Sequence, residues 1–301
     1  MAFEKLKKIF PGLREKEPLK NHCTFRVGGP ADLFYELKDI EEIPPLITMA
    51  EENAVPYRII GRGTNVLFTD KGFRGLIIKN LSKNCSVDVG GAQITADSGV
   101  LLAQIIRLAI DNHLSGLEPL YGLPGSIGSA VWGNAGVPNC EIGGFVKSAT
   151  LFNVTDGVRE VNGGKDGGID FQYRRTSLQS SRDIVMSVVL ALSKGAANQS
   201  KELMKKIDEI RRGKQPVGYT AGSFFKNPSK EKPAGLLIDQ AGLKGRSLGG
   251  AQISPKHGNF FMNTGNATSS EILKLAGLTA TAVKEKFGID LEFEVKIIGE
   301  I

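Results

Sequence analysis

Apolar residues recur along this chain with two periods, and the periods sort it into helices and strands. Ile43, Leu46, Ile47 and Ala50 fall at helical spacing behind Asp39 and Glu42, which are spaced as a capping box, so a short amphipathic helix is predicted. Leu101, Leu102, Ile105, Ile106 and Ala109 share one face of a second helix, with Ser98 as its candidate cap and His113 near its end. A third carries Leu203, Ile207 and Ile210, with Gly213 ready to end it. The last begins at a Thr268–Glu271 capping box, carries Ile272, Ala276, Thr279, Val283 and Phe287 as a stripe, and stops at Gly288.

Strand signals lie between them. Residues 55–60 and 74–79 read as strands, the first buried, and 87–96 reads as a hairpin around Gly90 and Gly91. Residues 148–155 and 158–161 flank Asp156-Gly157, a strong hairpin dipeptide, and 183–192 is a continuous apolar run suited to a buried strand. Near the end, Ile289, Leu291, Phe293, Val295 and Ile297 alternate, which puts Asp290, Glu292, Glu294 and Lys296 on the other face of one strand. The class is α+β, with a polar, small-residue stretch at 192–200 marking a domain boundary near residue 197.

Composition narrows this. With 301 residues, 41% of them hydrophobic and 23% charged, the chain has room for two or three domains and a sizeable core, and disorder is not expected. The N-terminal stretch mixes charge through its apolar residues, unlike a signal peptide, and no run is long and apolar enough to span a membrane. Cys23, Cys85 and Cys140 lack the close spacing of a disulfide scaffold or a metal site, so a reduced cytoplasmic setting fits. His22, His113 and His257 are too scattered for a metal centre. The net charge of +6 is concentrated: residues 201–256 hold twelve Lys/Arg against five Asp/Glu. Such a region suits an anionic ligand or nucleic acid, although Lys201, Lys205 and Lys206 equally suit a solvated helix face.

Two glycine-bearing stretches could cradle phosphate. Gly116–Gly136 has six glycines in twenty-one residues and reads as a loop and not a core element. Gly122, Gly125 and Gly128 recur every third residue around Pro124 and Ser126, a pattern that can turn successive amides toward an anion. The pattern is not the dinucleotide fingerprint of a βαβ unit, and a plain glycine-rich connection fits it as well. Gly61–Phe68, GRGTNVLF, follows a predicted strand with amides and a short hydroxyl able to donate, and an ordinary turn is its alternative.

Three further segments each set one reactive group beside apolar anchors: FQYRRTS with Arg174, AGSFFKNP with Ser223, and LEFEVKIIG with Glu294. An arginine holds a carboxylate through two parallel hydrogen bonds, a serine beside a glycine can approach a ligand, and a half-buried glutamate can retain a proton. A surface ion pair, a turn hydroxyl and a solvated strand face would use the same residues. No GxSxG elbow supports a serine hydrolase.

Taken in order, TFRVGGPAD, GRGTNVL, GLEPLYGLPGSIGSAVWGNAG, FQYRRTS, KQP with AGSFFKNP, AGLLIDQAGLKGRSLGGAQIS and LEFEVKIIG resemble the UDP-N-acetylenolpyruvoylglucosamine reductase family across nearly the whole chain. The resemblance implies a two-subdomain FAD-binding module of the vanillyl-alcohol-oxidase (PCMH) type plus a C-terminal α+β substrate-binding domain. Its subdomains would be residues 1–82 and 83–197, with the substrate domain at 198–290 and the strand 291–301 packing back on the module. It implies non-covalent FAD held by Gly61, Arg62, Gly63, Thr64, Asn65 and Val66, and by Gly122, Pro124, Gly125, Ser126, Gly128 and Ser129. Asn134, Gly136 and Val185 complete that set. NADPH would be the co-substrate, and the reaction would pass hydride to the methylene carbon of an enolpyruvyl nucleotide sugar in peptidoglycan precursor synthesis. Charge then develops on the adjacent carbon and its carboxylate, so Ser223 is expected as proton donor, with Arg174 and Glu294 stabilising the intermediate. Tyr173, Lys226, Asn227, Gln240 and Lys244 are the expected substrate contacts.

A cytoplasmic monomer is expected, without nucleic acid, membrane or metal. Ser129 stands where the family commonly has glycine, VPNC at 137–140 replaces an alanine-tyrosine-glycine type of sequence, and Tyr219-Thr220 replaces proline-serine. Only 48 residues separate Arg174 from Ser223, as in the shorter class that lacks a tyrosine-bearing substrate loop. The competing readings are another flavoenzyme on the same module, with flavin attached through histidine or cysteine, and a nucleic-acid-binding protein using 201–256. The glycine stretch has no histidine, and the basic region has little aromatic interleaving beyond Phe224 and Phe225.

Overall fold

The alternating stretches in the middle of the chain pair into one antiparallel sheet. In the computed structural model, which describes residues 2–164 and 168–300, its order is Gly157–Asn162, Val146–Asn153, Ile184–Ala191, Gln93–Asp97, Cys85–Asp88. Both predicted hairpins are present: Asn153 pairs with Gly157 across the Asp-Gly turn, and Asp88 pairs with Gln93. Met1, residues 165–167 and Ile301, which the expected segments include, lie outside the described residues.

The chain divides into two compact units. The first comprises the N-terminal residues to Leu13, Tyr35–Gly61 and Ile78–Arg211; the second comprises Arg14–Phe34, Arg62–Ile77 and the chain from Arg212 onward. The first holds the five-stranded sheet and helices α1 (Ala2–Ile9), α2 (Ile43–Glu52), α3 (Leu102–Asp111), α4 (Ile127–Gly133) and most of α5 (Ala197–Lys214). Its core gathers Ile94, Ile105, Ile106, Ile127, Val131, Val188 and Leu190, all at most 1% exposed, so α3 and α4 bury their apolar stripes on the sheet. The second holds α6 (Ala234–Gln240), α7 (Ser269–Phe287), a meander of Ser247–Leu248, Ala251–Ile253 and Phe261–Asn263, and a parallel pair of Lys296–Ile298 with Val66–Phe68. A further sheet is ordered Arg14–Pro18, Pro30–Leu37, Phe73–Asn80, Tyr57–Ile60.

Several expectations need correction. The glycine-rich stretch is not all loop: Ile127, Ala130 and Val131, at i, i+3 and i+4, form the buried stripe of α4. Ser98 does not cap α3, because its hydroxyl accepts from Asn80 Nδ2 at 2.8 Å and the helix starts behind Leu101, whose N–H Gln104 takes up. Asp39 accepts from the Glu41 amide and caps a 3-10 turn ahead of α2. The strand Tyr57–Ile60 is only half-buried. Helix α5 begins inside the polar stretch, runs past Gly213 to Lys214, and leaves Leu203 and Ile210 42% and 57% exposed. The C-terminal alternation gives regular strand only over Lys296–Ile298, with Phe293 37% exposed. The α7 capping box and its end at Gly288 are as read.

Two tyrosines tie α2 and its approach to the first unit. Tyr35 donates to Glu42 and Tyr57 to Glu51, each at 2.9 Å. Burial first, and then the carboxylate partner, pushes each phenol up to about 12. A raised folded-state pKa favours the protonated form, so this contribution is intact below pH ~10, the unfolded tyrosine value. It is lost as pH rises through about 12. Thermal melts between pH 9 and 11.5 are expected to show stability falling, and the Tyr35→Phe/Tyr57→Phe double variant should show a shallower fall; an identical slope contradicts the assignment.

Candidate active site

In the second unit the residues around Ser223 form a short extended segment clamped from both sides. Phe224 N–H donates to the Asn259 carbonyl at 2.9 Å, and Ser223 bridges Phe260. On the other side the Glu294 amide donates to Phe224 O at 2.9 Å, Lys226 N–H donates to Glu292 O at 2.8 Å, and Phe225 bridges Phe293. Phe224 and Phe225 are both fully buried, although neighbours on a strand point to opposite faces, because apolar residues cover each side. Phe224 packs against the rings of Phe25, Phe261 and Phe293. Burying such a ring contributes roughly 1.5–3 kcal/mol, and it fixes the serine beside it. The half-buried Ser223 hydroxyl has no hydrogen-bond partner among the described residues.

The structure brings Ser223, Glu294 and Asn65 to one place. Asn65 Nδ2 donates to the Glu294 carbonyl at 3.2 Å, and Lys296 N–H donates to Asn65 O at 3.0 Å. Lys296 follows on the same strand, and burial first, then the Lys226 charge, pushes its ammonium below the ordinary lysine value while Glu292 and Glu294 oppose the shift. Within the loop, Gly63 is buried against His22 and Cys23, Thr24 N–H donates to its carbonyl, and Arg62 and Asn65 are exposed.

In the first unit, Arg174 occupies the turn between Phe171–Gln172 and Arg175–Thr176. Its φ is +54°, a left-handed conformation that costs a non-glycine residue about 1–2 kcal/mol. The Nη2 atom donates to Gly136 O at 2.9 Å, and the guanidinium carbon lies 5.2 Å from the centroid of the exposed Tyr173 ring. Asn134, 1% exposed, ends α4; its amide donates to Glu141 and to Gln172 O, and its oxygen accepts from Gly143 N–H. Thr176 Oγ1 and Gln179 Nε2 both donate to Trp132 O. The arginine turn is thereby tied to the glycine-rich stretch.

That stretch also meets Gly61. A Cβ on Gly61 would lie 2.5 Å from Ser126 Oγ and 2.7 Å from Ser129 Oγ, and the two hydroxyls are 2.7 Å apart. Ser129 thus contributes a second hydroxyl beside Gly61. Gly122 and Pro124 are exposed, Gly125 O accepts from Leu102 N–H, Gly128 N–H donates to Ser98 O, and Val185 is buried in the central strand.

The expected substrate contacts are more dispersed. Lys226 is ion-paired with Glu292, Asn227 accepts from the first amide of α6, Lys244 pairs with Asp239 at 2.8 Å, and the Gln240 carbonyl accepts from Lys286. Reading the sequence missed Asn259, which is 2% exposed: its Oδ1 accepts from Phe225 N–H and its Nδ2 donates to Phe225 O. The signal available was an asparagine inside an apolar run, HGNFF.

Comparisons with known proteins fit this geometry. Residues 31–161 match the FAD binding domain family, which makes the class an FAD-dependent oxidoreductase with an α+β cofactor module. Glycine backbone and paired hydroxyls around Gly61, Ser126 and Ser129 fit the phosphates of that nucleotide, since they combine close approach with donors. Residues 215–298 match the C-terminal domain of UDP-N-acetylenolpyruvoylglucosamine reductase. The reductase of that name from Caldanaerobacter subterraneus subsp. tengcongensis is 38% identical over 99% of this chain and 98% of its own, and the one from Clostridium botulinum strain Hall is 40% identical over 94% and 92%. The crystal structure of UDP-N-acetylenolpyruvylglucosamine reductase (MurB) from Thermus caldophilus superposes with a TM-score of 0.80 at 32% identity, over 95% of this chain and 99% of that one. The chain belongs to the UDP-N-acetylenolpyruvoylglucosamine reductase family. Among the described residues no helix is long and apolar enough to cross a membrane.

Proposed function

We propose that this chain reduces UDP-N-acetylglucosamine enolpyruvate to UDP-N-acetylmuramate with NADPH as reductant, as a cytoplasmic monomer in peptidoglycan precursor synthesis. The observation that carries the reading is the joining of Ser223, Glu294 and Asn65 through the Phe224 and Glu294 backbones. FAD, which the loops at 61–66 and 122–136 would hold, would supply the hydride chemistry that links the nicotinamide to the methylene carbon of the enolpyruvyl group. Arg174 holds the carboxylate of that group, with its guanidinium oriented by Gly136 O. Glu294, acting as the protonated acid, donates a hydrogen bond to the charge arriving on the adjacent carbon and carboxylate. Ser223 gives its proton to that carbon, a step for which its unengaged hydroxyl is suited. A serine is a weak acid, and the basicity of the carbanion makes the transfer feasible. Lys226, released from Glu292, and Asn227, Gln240, Lys244 and Tyr173 serve the diphosphate and sugar.

The test is anaerobic. The flavin of the purified protein is expected to bleach with NADPH and to recover its colour on addition of the enolpyruvyl substrate. Bleaching without recovery would sink the assigned reaction while leaving the flavin assignment intact.

A further inference from the structure

Helix α5 touches the glycine-rich stretch at Glu118, which accepts from Ser200, and again at Gly122, where a charged side chain lies. A Cβ on Gly122 would fall 2.8 Å from Arg211 Nε and 2.9 Å from its Cδ, so the arginine stem occupies the space a side chain at 122 would need. Gly122 has φ +82°, which any other residue would adopt only under strain. The backbone conformation favours glycine here, and the absence of a side chain leaves the arginine room to lie over it.

Arg211 is half-buried and makes no ion pair or hydrogen bond among the described residues. Asp208, one turn back on α5, attracts it through space, and burial still pushes its pKa below the ordinary arginine value. The neighbouring Tyr121 hydroxyl already accepts from Arg107, at 3.4 Å. A guanidinium remains charged even when partly desolvated, and such a cation is costly without an anionic partner. Its five donors are arranged for planar oxygen acceptors.

We infer that Arg211 is the counter-ion for an anionic oxygen of the bound flavin nucleotide, seated over Gly122. This rests on the reading that residues 122–136 hold FAD. Two oxygens of that ligand share the chemistry: a phosphate oxygen, always anionic, and the C2 oxygen of the ring system, which gains negative charge on two-electron reduction. Arg211 favours reduced over oxidised FAD only if it faces the second.

The experiment uses the FAD-loaded protein and its Arg211→Gln and Arg211→Lys variants, with dissociation constants for oxidised and reduced FAD and the midpoint potential as readouts. Arg211→Gln is expected to weaken FAD binding about tenfold or more, the scale of a lost charged hydrogen bond. Arg211→Lys, which keeps the charge without the fork, should lose about threefold. Equal weakening of both redox forms with an unchanged potential identifies phosphate. A further tenfold loss confined to reduced FAD identifies the ring oxygen and lowers the potential by about 30 mV. Matching thermal melts of FAD-stripped parent and variants exclude unfolding as the cause, and Arg211→Lys carries the test should Arg211→Gln melt early. A parent that holds FAD, with variants that hold it equally tightly at the same potential, overturns this inference alone. A parent that takes up no FAD overturns the FAD reading and this inference with it.

Discussion

Replacing Ser223 with alanine is expected to slow substrate reduction about 10²- to 10⁴-fold, the range for loss of a positioned proton donor, while flavin reduction by NADPH proceeds at the parent rate. The separation is expected because the side chain takes no part in the hydrogen bonds that clamp its segment. Those run through the Phe224, Phe225 and Lys226 backbones. The variant should therefore fold, retain FAD and bind substrate with little change in Kd. Stopped-flow measurement of each half-reaction decides the matter: equal loss in both would remove Ser223 from the role of proton donor.

Arg174→Met should lower kcat for substrate reduction about 10²- to 10³-fold, the scale on which removing one aligned charge-stabilising donor acts. Arg174→Lys should recover little of it, because an ammonium cannot reproduce a fork that is held by Gly136 O. Stability gives an independent check. Arg174 sits at φ +54°, and relief of that conformation in Arg174→Gly, about 1 kcal/mol, offsets part of the loss of its hydrogen bond to Gly136 O and its contact with the Tyr173 ring. Arg174→Gly is accordingly expected to melt only slightly below the parent while being as inactive as Arg174→Met. A large drop in Tm would mean that the arginine holds the turn together and is not placed there for the ligand.

Much of the scaffold is legible in residue pattern. The Asp156-Gly157 hairpin, the α7 capping box and the apolar run of the central strand depend on local rules, and each stands where those rules put it. Misreadings arise where tertiary packing outweighs local signal. Helix α4 hides a stripe of Ile127, Ala130 and Val131 among glycines. The 289–297 alternation yields little regular strand because its partner there is a short clamped segment and not a full strand. Ser98 has the right side chain for a helix cap, but Asn80, eighteen residues earlier, engages it. At the site, the short motifs mark Arg174, Ser223 and Glu294 as distinctive, and local rules stop there. The clamp by Asn259 and the placing of Arg211 over Gly122 depend on contacts 34 and 89 residues away, which no spacing rule reaches.

The clamp around Ser223 also sets a timetable. Its hydrogen bonds join Phe225 to Asn259, 34 residues later, and Asn65 to Glu294, 229 residues later. Contacts of such separation form only after long loops have closed, so their entropic cost falls late in folding. The serine is synthesised well before the segment at 292–295 that holds its strand, and until that segment arrives Phe224 lacks one of its ring partners and its carbonyl lacks a donor. A newly made chain would thus acquire its glycine-rich stretch and central sheet first, and become competent for chemistry only when its last strand docks.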